Sequence, residues 1–457
     1  MTSNSPPVES FNSLKMLKAR ADSQRAHRTM YHSGEIAFKS CPIVDTSVTE
    51  TSRAQAETET KTRDRSEKVT AAQFSLDREK HIAYLRDHLS ELPAPYVRLD
   101  ASKPWLLYWV INGLSLSGED ISELKYPAAE TLLSYQSPSG GFGGGFCQIT
   151  HLAPTYAAVN TSALAGDELM WSRIDRVKAY KHLMSLKQQD GSFSMHKGGE
   201  IDSRAVYTAL ATASSLNIMT PELIHNTAQW LSSCQTFEGG FSESPGREAH
   251  GGYAFCVLAA LCLLGAPREI LPQYIDLEKA VEWLSLRQCQ PEGGFSGRTN
   301  KSVDGCYSHW VGGCWPLIEA AVGADNLFDK EALQAYILAC CQQKSGGLRD
   351  KIGLNPDTYH TNYVLAGLSC AQHKYEFDNE EAKGIALGGF GFLWSTELDQ
   401  SINIPIGSQV EALNPVHVLP VGIAENMRAF FVTMDQYIPI DLSLEDENEN
   451  HDDENLV

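Results

Sequence analysis

Asp304, Cys306 and, 54 residues after the cysteine, His360 offer a carboxylate, a thiol and an imidazole. Brought together, these groups would give Zn²⁺ three ligands and leave a fourth position open, as a catalytic rather than a structural metal site requires. The spacing alone reads equally well as a buried cysteine, a helix-capping aspartate and an ordinary hydrogen-bonded histidine. Just ahead of the pair stands Arg298-Thr-Asn-Lys301, and His250 and Tyr307 fall in the same layer of the repeat described below. Two fixed cations, an imidazole and a phenol can neutralise a diphosphate and donate hydrogen bonds to it together. The same stretch also reads as a solvated loop. A cationic cluster beside a thiolate-binding metal is chemistry for displacing an anionic leaving group with sulfur.

A repeated turn positions these residues: Gly140-Gly-Phe142, Gly191-Ser-Phe193, Gly239-Gly-Phe241, Gly293-Gly-Phe295 and Gly346-Gly-Leu348. The intervals between the last residues are 51, 48, 54 and 53, a period that marks an internal repeat. Amphipathic helices precede most turns. Asp276 can cap one whose apolar face is Leu277, Ala280, Val281 and Leu284; Thr220-Pro221 opens another with Leu223, Ile224, Leu231 and Cys234. Each turn is followed by a helix that is apolar almost all round, such as Tyr253–Leu264, which must be surrounded by protein. Each repeat is therefore an outer and an inner helix. Five repeats, a first inner helix near Trp105 and a remnant around 414–436 predict an all-α fold, a toroid or α/α barrel of about six pairs. An open solenoid shares the period.

Counting nine residues from the last residue of each turn reaches His151, Asp202, His250, Asp304 and Asp357. Arg204, Tyr253, Cys306, Tyr307, Tyr359 and His360 follow two or three positions later. The chemistry thus collects at the starts of parallel inner helices, whose dipoles and unpaired N–H groups suit an anion. Trp105, Tyr108, Trp109, Tyr207, Tyr253, Trp310, Tyr359 and Tyr363 are enough to line an aromatic cavity for a long unsaturated chain, although each taken singly reads as core.

The chain has 457 residues, 42% of them apolar, and a net charge of −20. That balance argues against nucleic acid or anionic membrane as a partner. Residues 1–72 show little hydrophobic periodicity and read as a flexible extension, 73–440 as the barrel domain, and 441–457, with eight acids and no Lys or Arg, as a solvated tail. Eleven cysteines without a regular framework read as reduced thiols and point to the cytoplasm. No secretory signal is visible, and the longest apolar run, Tyr253–Leu264, is shorter than the ~20 residues that span a bilayer.

Six segments carry a resemblance to a family: Asp100-Ala-Ser-Lys-Pro-Trp-Leu-Leu-Tyr-Trp109, His151-Leu-Ala-Pro-Thr-Tyr-Ala-Ala-Val-Asn160, Glu248-Ala-His-Gly-Gly-Tyr253, Gly297-Arg-Thr-Asn-Lys301, Val303-Asp-Gly-Cys-Tyr-Ser308 and Tyr359-His360. Over about 74–436 the sequence resembles the β subunits of protein farnesyltransferases. The resemblance implies Asp304, Cys306 and His360 as zinc ligands, and His250, Arg298, Lys301 and Tyr307 as the holders of the farnesyl diphosphate head. By the same matching Lys301 and Tyr307 join the ligands in catalysis. Arg204, Tyr253, Cys256 and Trp310 would line the isoprenoid cavity, and Trp105, Trp109 and Tyr359 would lie near the peptide. Asp350 matches an acid linked to Mg²⁺. Trp105 and Tyr363 match a bulky pair at the cavity floor that separates farnesyl from geranylgeranyl enzymes.

The implied activity is transfer of a farnesyl group to the cysteine thiol of C-terminal C-a-a-X proteins, by an obligate heterodimer with an α subunit. Leu354 departs from the pattern, standing where relatives often carry lysine, and 374–412 and the N-terminal extension are poorly matched. A type I geranylgeranyltransferase β subunit would share the chemistry, but Asp350, Trp105 and Tyr363 argue against it. A terpene cyclase would need an Asp-rich initiating motif, whereas the single Asp-Asp pair is Asp452-Asp453. A non-catalytic helical scaffold that binds peptides would hold no zinc.

Overall fold

The repeated turn forms because its glycines take a backbone that other residues avoid. Gly293 has φ 84°, and a Cβ there would stand 2.5 Å from the Ala332 carbonyl oxygen on the next outer helix. Each turn is closed by an isolated antiparallel bridge, such as Gln235 with Phe241, Gln288 with Phe295 and Gln342 with Leu348. In the computed structural model, which describes residues 48–68, 74–90 and 92–434, these turns join successive outer and inner helices.

The helices that build and flank the ring, in chain order and leaving aside the shorter connecting helices Glu168–Trp171, Pro221–Ile224 and Pro267–Tyr274, are α1 (Glu50–Lys68), α2 (Arg78–Asp87), α3 (Lys103–Leu116), α4 (Ser122–Leu133), α5 (Leu152–Ala165), α6 (Arg176–Leu186), α7 (Ser203–Ser215), α8 (Thr227–Ser233), α9 (Gly251–Leu264), α10 (Leu277–Ser285), α11 (Tyr307–Trp310), α12 (Cys314–Val322), α13 (Lys330–Tyr336), α14 (Thr358–Gln372) and α15 (Ile423–Thr433). The inner ring is α3, α5, α7, α9, the broken pair α11/α12, and α14. Each member packs on the next, and α14 packs back on α3, so the ring is closed. The fold is a six-pair α/α toroid, not an open solenoid. Its inner helices are buried on all sides: along α9 every residue from Ala254 to Leu263 is buried.

Four of the five residues nine positions after each turn are the N-caps of inner helices, and the fifth, Asp304, stands two residues before the cap of α11, Cys306. His151 accepts from Ala153 N–H, Asp202 from Arg204 and Ala205 N–H, His250 from Gly252 N–H and Asp357 from His360 N–H. Asp304 accepts from Cys306 N–H at 2.9 Å. Capping satisfies donors that a helix start leaves unpaired, and it fixes these side chains at one end of the ring.

Several expectations need correction. Within the remnant read around 414–436, the described residues, up to 434, hold the single helix α15 and no inner–outer pair; α2 with α3 completes the six. Residues 414–420 instead plug the far end of the barrel. Tyr207, Tyr156 and Tyr108 donate their hydroxyls to the carbonyls of Val416, His417 and Val418 at 2.7, 3.3 and 2.9 Å. Within the presumed extension 1–72, residues 50–68 form α1, which docks through Gln55 on Glu292 at 3.0 Å and through Arg65 on the Ala339 carbonyl at 3.0 Å. The helix opened by Thr220-Pro221 ends at Ile224, because Asn226 adopts φ 61°, and resumes as α8. The poorly matched region contains a hairpin, β1 (His373–Phe377) against β2 (Trp394–Leu398). A buried pair, Lys330 Nζ to Asp399 Oδ2 at 3.0 Å, fastens this hairpin to α13. The acidic tail 441–457 lies outside the described residues.

Candidate metal centre and cavity

Gly305 lets the Asp304–Cys306 loop settle against its neighbour: its N–H donates to the Asp350 carbonyl at 2.7 Å, and a Cβ would meet the Arg349 oxygen at 2.5 Å. This contact carries Asp304 and Cys306 to the first turn of α14. One ligand atom from each of Asp304, Cys306 and His360 then lies within 4.8 Å of the others. His360 Nε2 is 3.3 Å from Asp304 Oδ1, and its Nδ1 is 2.7 Å from Asp357 Oδ2. Asp357 therefore fixes the ring with Nε2 toward the cluster, the orientation a metal-binding histidine needs.

The electrostatics of the three groups suit a cation. Burial disfavours the charged His360, yet hydrogen bonds to Asp304 and Asp357 outweigh it and raise its pKa to about 10. Burial likewise opposes ionisation of Asp304, and the hydrogen bond with His360 more than compensates, holding the carboxyl below its ordinary value. Burial and then the neighbouring Asp304 charge push the Cys306 thiol well up. A divalent cation among these donors would replace the proton on His360 and reverse the pressure on Cys306. Carboxylate, thiolate and imidazole in this convergence fit Zn²⁺.

Behind the cluster opens a cavity of about 450 Å³. Of the predicted residues, Trp105, Trp109, Arg204, Tyr207, His250, Tyr253, Cys256, Tyr307, Trp310, Tyr359 and Tyr363 line it while Tyr108 is buried behind the wall, and Val418 of the plug contributes to that wall. The aromatic groups are braced against one another: Trp310 Nε1 donates to Tyr359 OH at 2.8 Å, and Tyr363 lies 4.4 Å from Trp310 between ring centroids. Trp105 contacts Tyr108 and Tyr156, both of which bind the plug. Tyr156, Phe255 and Met195 also line the cavity and were not singled out from sequence. The first two stand one turn beyond the capped positions, so the repeat count extended by a turn would have found them.

Tyr307 OH is 2.9 Å from His250 Nε2, while His250 Nδ1 accepts from Gly252 N–H at 3.0 Å. With Nδ1 used as acceptor, the neutral ring carries its proton on Nε2 and donates it to Tyr307, whose own proton is then free for a ligand. Burial, followed by the Arg298 charge, lowers the His250 pKa and keeps that ring neutral. Gly297 is required here, because a Cβ would fall 1.9 Å from the Tyr307 ring. Arg298 and Lys301 do not line the cavity. Arg298 pairs at the rim with Glu248 at 3.0 Å, and Lys301 is exposed.

Asp350 sits near the metal cluster, with its pKa raised by burial and by Asp304. Both of its oxygens are taken by Lys351 Nζ, at 2.5 and 2.6 Å. These residues do not make a Mg²⁺ site on their own; a magnesium ion there would depend on substrate oxygens and water.

The family model of the prenyltransferase alpha-alpha toroid domain matches residues 76–419. A protein farnesyltransferase subunit beta of Pyricularia oryzae is 44% identical over 390 residues, covering 79% of this chain and 75% of the relative. One from Schizosaccharomyces pombe is 39% identical, covering 79% and 92%. A geranylgeranyl transferase type-1 subunit beta of Arabidopsis thaliana is 31% identical, covering 66% and 86%. Among solved structures, Candida albicans protein geranylgeranyltransferase-I complexed with GGPP matches with a TM-score of 0.61 over 78% of this chain and 99% of that one. At 21% identity this likeness bears on the fold alone.

Proposed function

Because the chain belongs to the protein farnesyltransferase β-subunit family, we propose that it transfers a farnesyl group from farnesyl diphosphate to the cysteine thiol of C-terminal C-a-a-X proteins, paired with an α subunit. The observation that carries this reading is a convergence. Three zinc-type ligands, a His250–Tyr307 donor pair and an aromatic cavity of about 450 Å³ meet at one mouth.

Asp304, Cys306 and His360 would hold the metal, with Asp357 orienting His360. Zn²⁺ bound there supplies one thing, an environment in which an incoming thiol is a thiolate at neutral pH. The aromatic wall holds the prenyl chain and keeps water from the carbon under attack. As the bond from that carbon to the diphosphate breaks, negative charge grows on the leaving oxygens. Tyr307 meets it with the hydroxyl proton that His250 leaves free, and Arg298 and Lys301 add positive charge from the rim. Asp350, near enough to add to the rise that burial gives the Tyr307 pKa, is paired with Lys351 and would help hold a Mg²⁺ only together with substrate oxygens and water.

The farnesyl reading is favoured over a geranylgeranyl one by the bulk of Trp105 and Tyr363 in the cavity wall. A cytoplasmic location accords with the ten described cysteines, none of which forms a disulfide. Among the described residues no helix is long and apolar enough to cross a membrane. The test is co-expression with a prenyltransferase α subunit and an assay of C-a-a-X peptide modification with farnesyl and geranylgeranyl diphosphate, with and without a zinc chelator. Chelator-sensitive farnesyl transfer supports the reading. Activity that ignores chelation, or that prefers the longer donor, refutes it.

A further inference from the structure

Resting on the reading of His250, Arg298, Lys301 and Tyr307 as a diphosphate site, we propose that Glu248 is a built-in counter-ion of that site, a positioning residue that weakens the hold on free pyrophosphate and so speeds its departure. The observation is the rim pair, Arg298 Nη1 to Glu248 Oε2 at 3.0 Å, with side chains 39% and 54% exposed. One of the two cations expected to face the leaving group is thus partly neutralised by the protein itself.

Glu248 is not needed to keep the loop in place. Gly251 N–H donates to the Gly297 carbonyl at 2.8 Å. Thr299 Oγ1 donates to Glu238 Oε2 at 2.9 Å, a second anchor to the preceding repeat. Gly297 is wedged against the Tyr307 ring with no space for a side chain. The role left for Glu248 is to place its charge on Arg298 and, at longer range, on His250.

Two effects of a carboxylate on Arg298 have opposite signs. It orients the guanidinium, which favours an anion; it also places a negative charge one side chain away from that anion, which disfavours it. Glu248 engages one nitrogen of a group with five N–H donors, so the orienting gain is confined to part of one mobile side chain. Pyrophosphate brings several charges at once, and each is repelled. Repulsion therefore prevails. During the reaction the same carboxylate costs little, because the bound donor is also held by its chain in the aromatic cavity. Free pyrophosphate has no such second anchor.

The variant Glu248→Gln separates the two effects, since the amide oxygen still accepts from Arg298 while the charge is gone. Calorimetric titration of inorganic pyrophosphate into the full-length zinc-loaded chain, co-purified with its α subunit in about 50 mM salt, should show binding about three- to tenfold tighter for Glu248→Gln than for the unaltered protein. The gain should shrink in about 0.5 M salt and persist in reduced form in an Arg298→Ala background, where the direct repulsion remains and the neutralisation of the guanidinium is gone. Glu248→Ala, which removes charge and acceptor together, should also bind more tightly. In steady state, Glu248→Gln should be inhibited by pyrophosphate at lower concentrations. Equal or weaker pyrophosphate binding by Glu248→Gln, with Arg298→Ala weaker still, overturns the counter-ion role and leaves the diphosphate site standing. Failure of the unaltered protein to bind pyrophosphate, or indifference to Arg298→Ala, overturns the diphosphate-site reading and this inference with it.

Discussion

His360 and Asp357 stand on one helical turn with Nδ1 and Oδ2 2.7 Å apart, so the carboxylate that caps α14 also aims the imidazole at Asp304 and Cys306. Structure and chemistry share one side chain. Asp357→Asn should leave zinc bound but with affinity reduced about 10–100-fold. Cys306→Ala should abolish tight zinc binding. Competition with a graded zinc indicator measures both, and a native zinc affinity in Asp357→Asn would show that the capping aspartate does not orient His360.

Tyr307→Phe removes the hydroxyl held by His250 while leaving the ring against Gly297. Its single-turnover rate should fall by about 10–100-fold with zinc content unchanged. A rate within twofold of the unaltered enzyme would take Tyr307 out of the charge-stabilising set.

Chain-length choice should respond to two places in the cavity wall. Trp105→Thr and Val418→Gly each make room, one at α3 and one in the plug, and each should shift the ratio of kcat/KM for geranylgeranyl over farnesyl donor by about tenfold or more. Val418 has φ 61°, a strained backbone for a β-branched residue, so glycine there relieves about 1–3 kcal/mol and offsets the lost packing. An unchanged donor ratio in both variants would count against the cavity as the ruler.

Acid should loosen the fold through His417. Its ring is fully buried, stacked on Phe392 at 4.6 Å and near the Ser215 hydroxyl, and burial followed by the Arg428 charge lowers its pKa to about 3. The folded ring is neutral, whereas the unfolded one takes a proton below about 6.5. Its contribution is thus complete above pH 6.5 and is lost as the pH falls toward 3, by about 2 kcal/mol at pH 5. His417→Phe should flatten the fall in unfolding free energy between pH 7 and 5, read from denaturant titrations, by that amount. Parallel profiles for the two proteins would refute the assignment.

The parts of this architecture readable in advance were those written as local signals. Gly293 punctuates a turn because no Cβ fits, and Asp357, Asp202 and His250 recur at one offset because each caps an inner helix. The same count placed Asp304, Cys306 and His360 in one layer but left a core reading equally open, and the family resemblance chose the metal reading. The missing parts depend on distant partners. Polar α1 has no periodicity, and it is placed by Gln55 on Glu292 and Arg65 on Ala339. The break between α11 and α12 falls at Gly312-Gly313, where a Cβ on Gly312 would strike the Ser308 oxygen at 1.9 Å. The plug at 414–420 was read as the remnant of a repeat because its partners, Tyr108, Tyr156 and Tyr207, lie some 200 to 310 residues earlier. Glu248 escaped notice because an isolated acid beside a histidine carries no pattern.

The stoppered barrel has a kinetic corollary. A vessel sealed at its base fills and empties through a single neck, so its two guests must queue. On the proposed function, a lipid whose tail reaches Val418 would have to slide past Trp109 and Tyr359 before a peptide lay across them. The lipid would then board first, and a finished lipopeptide would leave backwards, withdrawing its tail along the path by which that tail arrived.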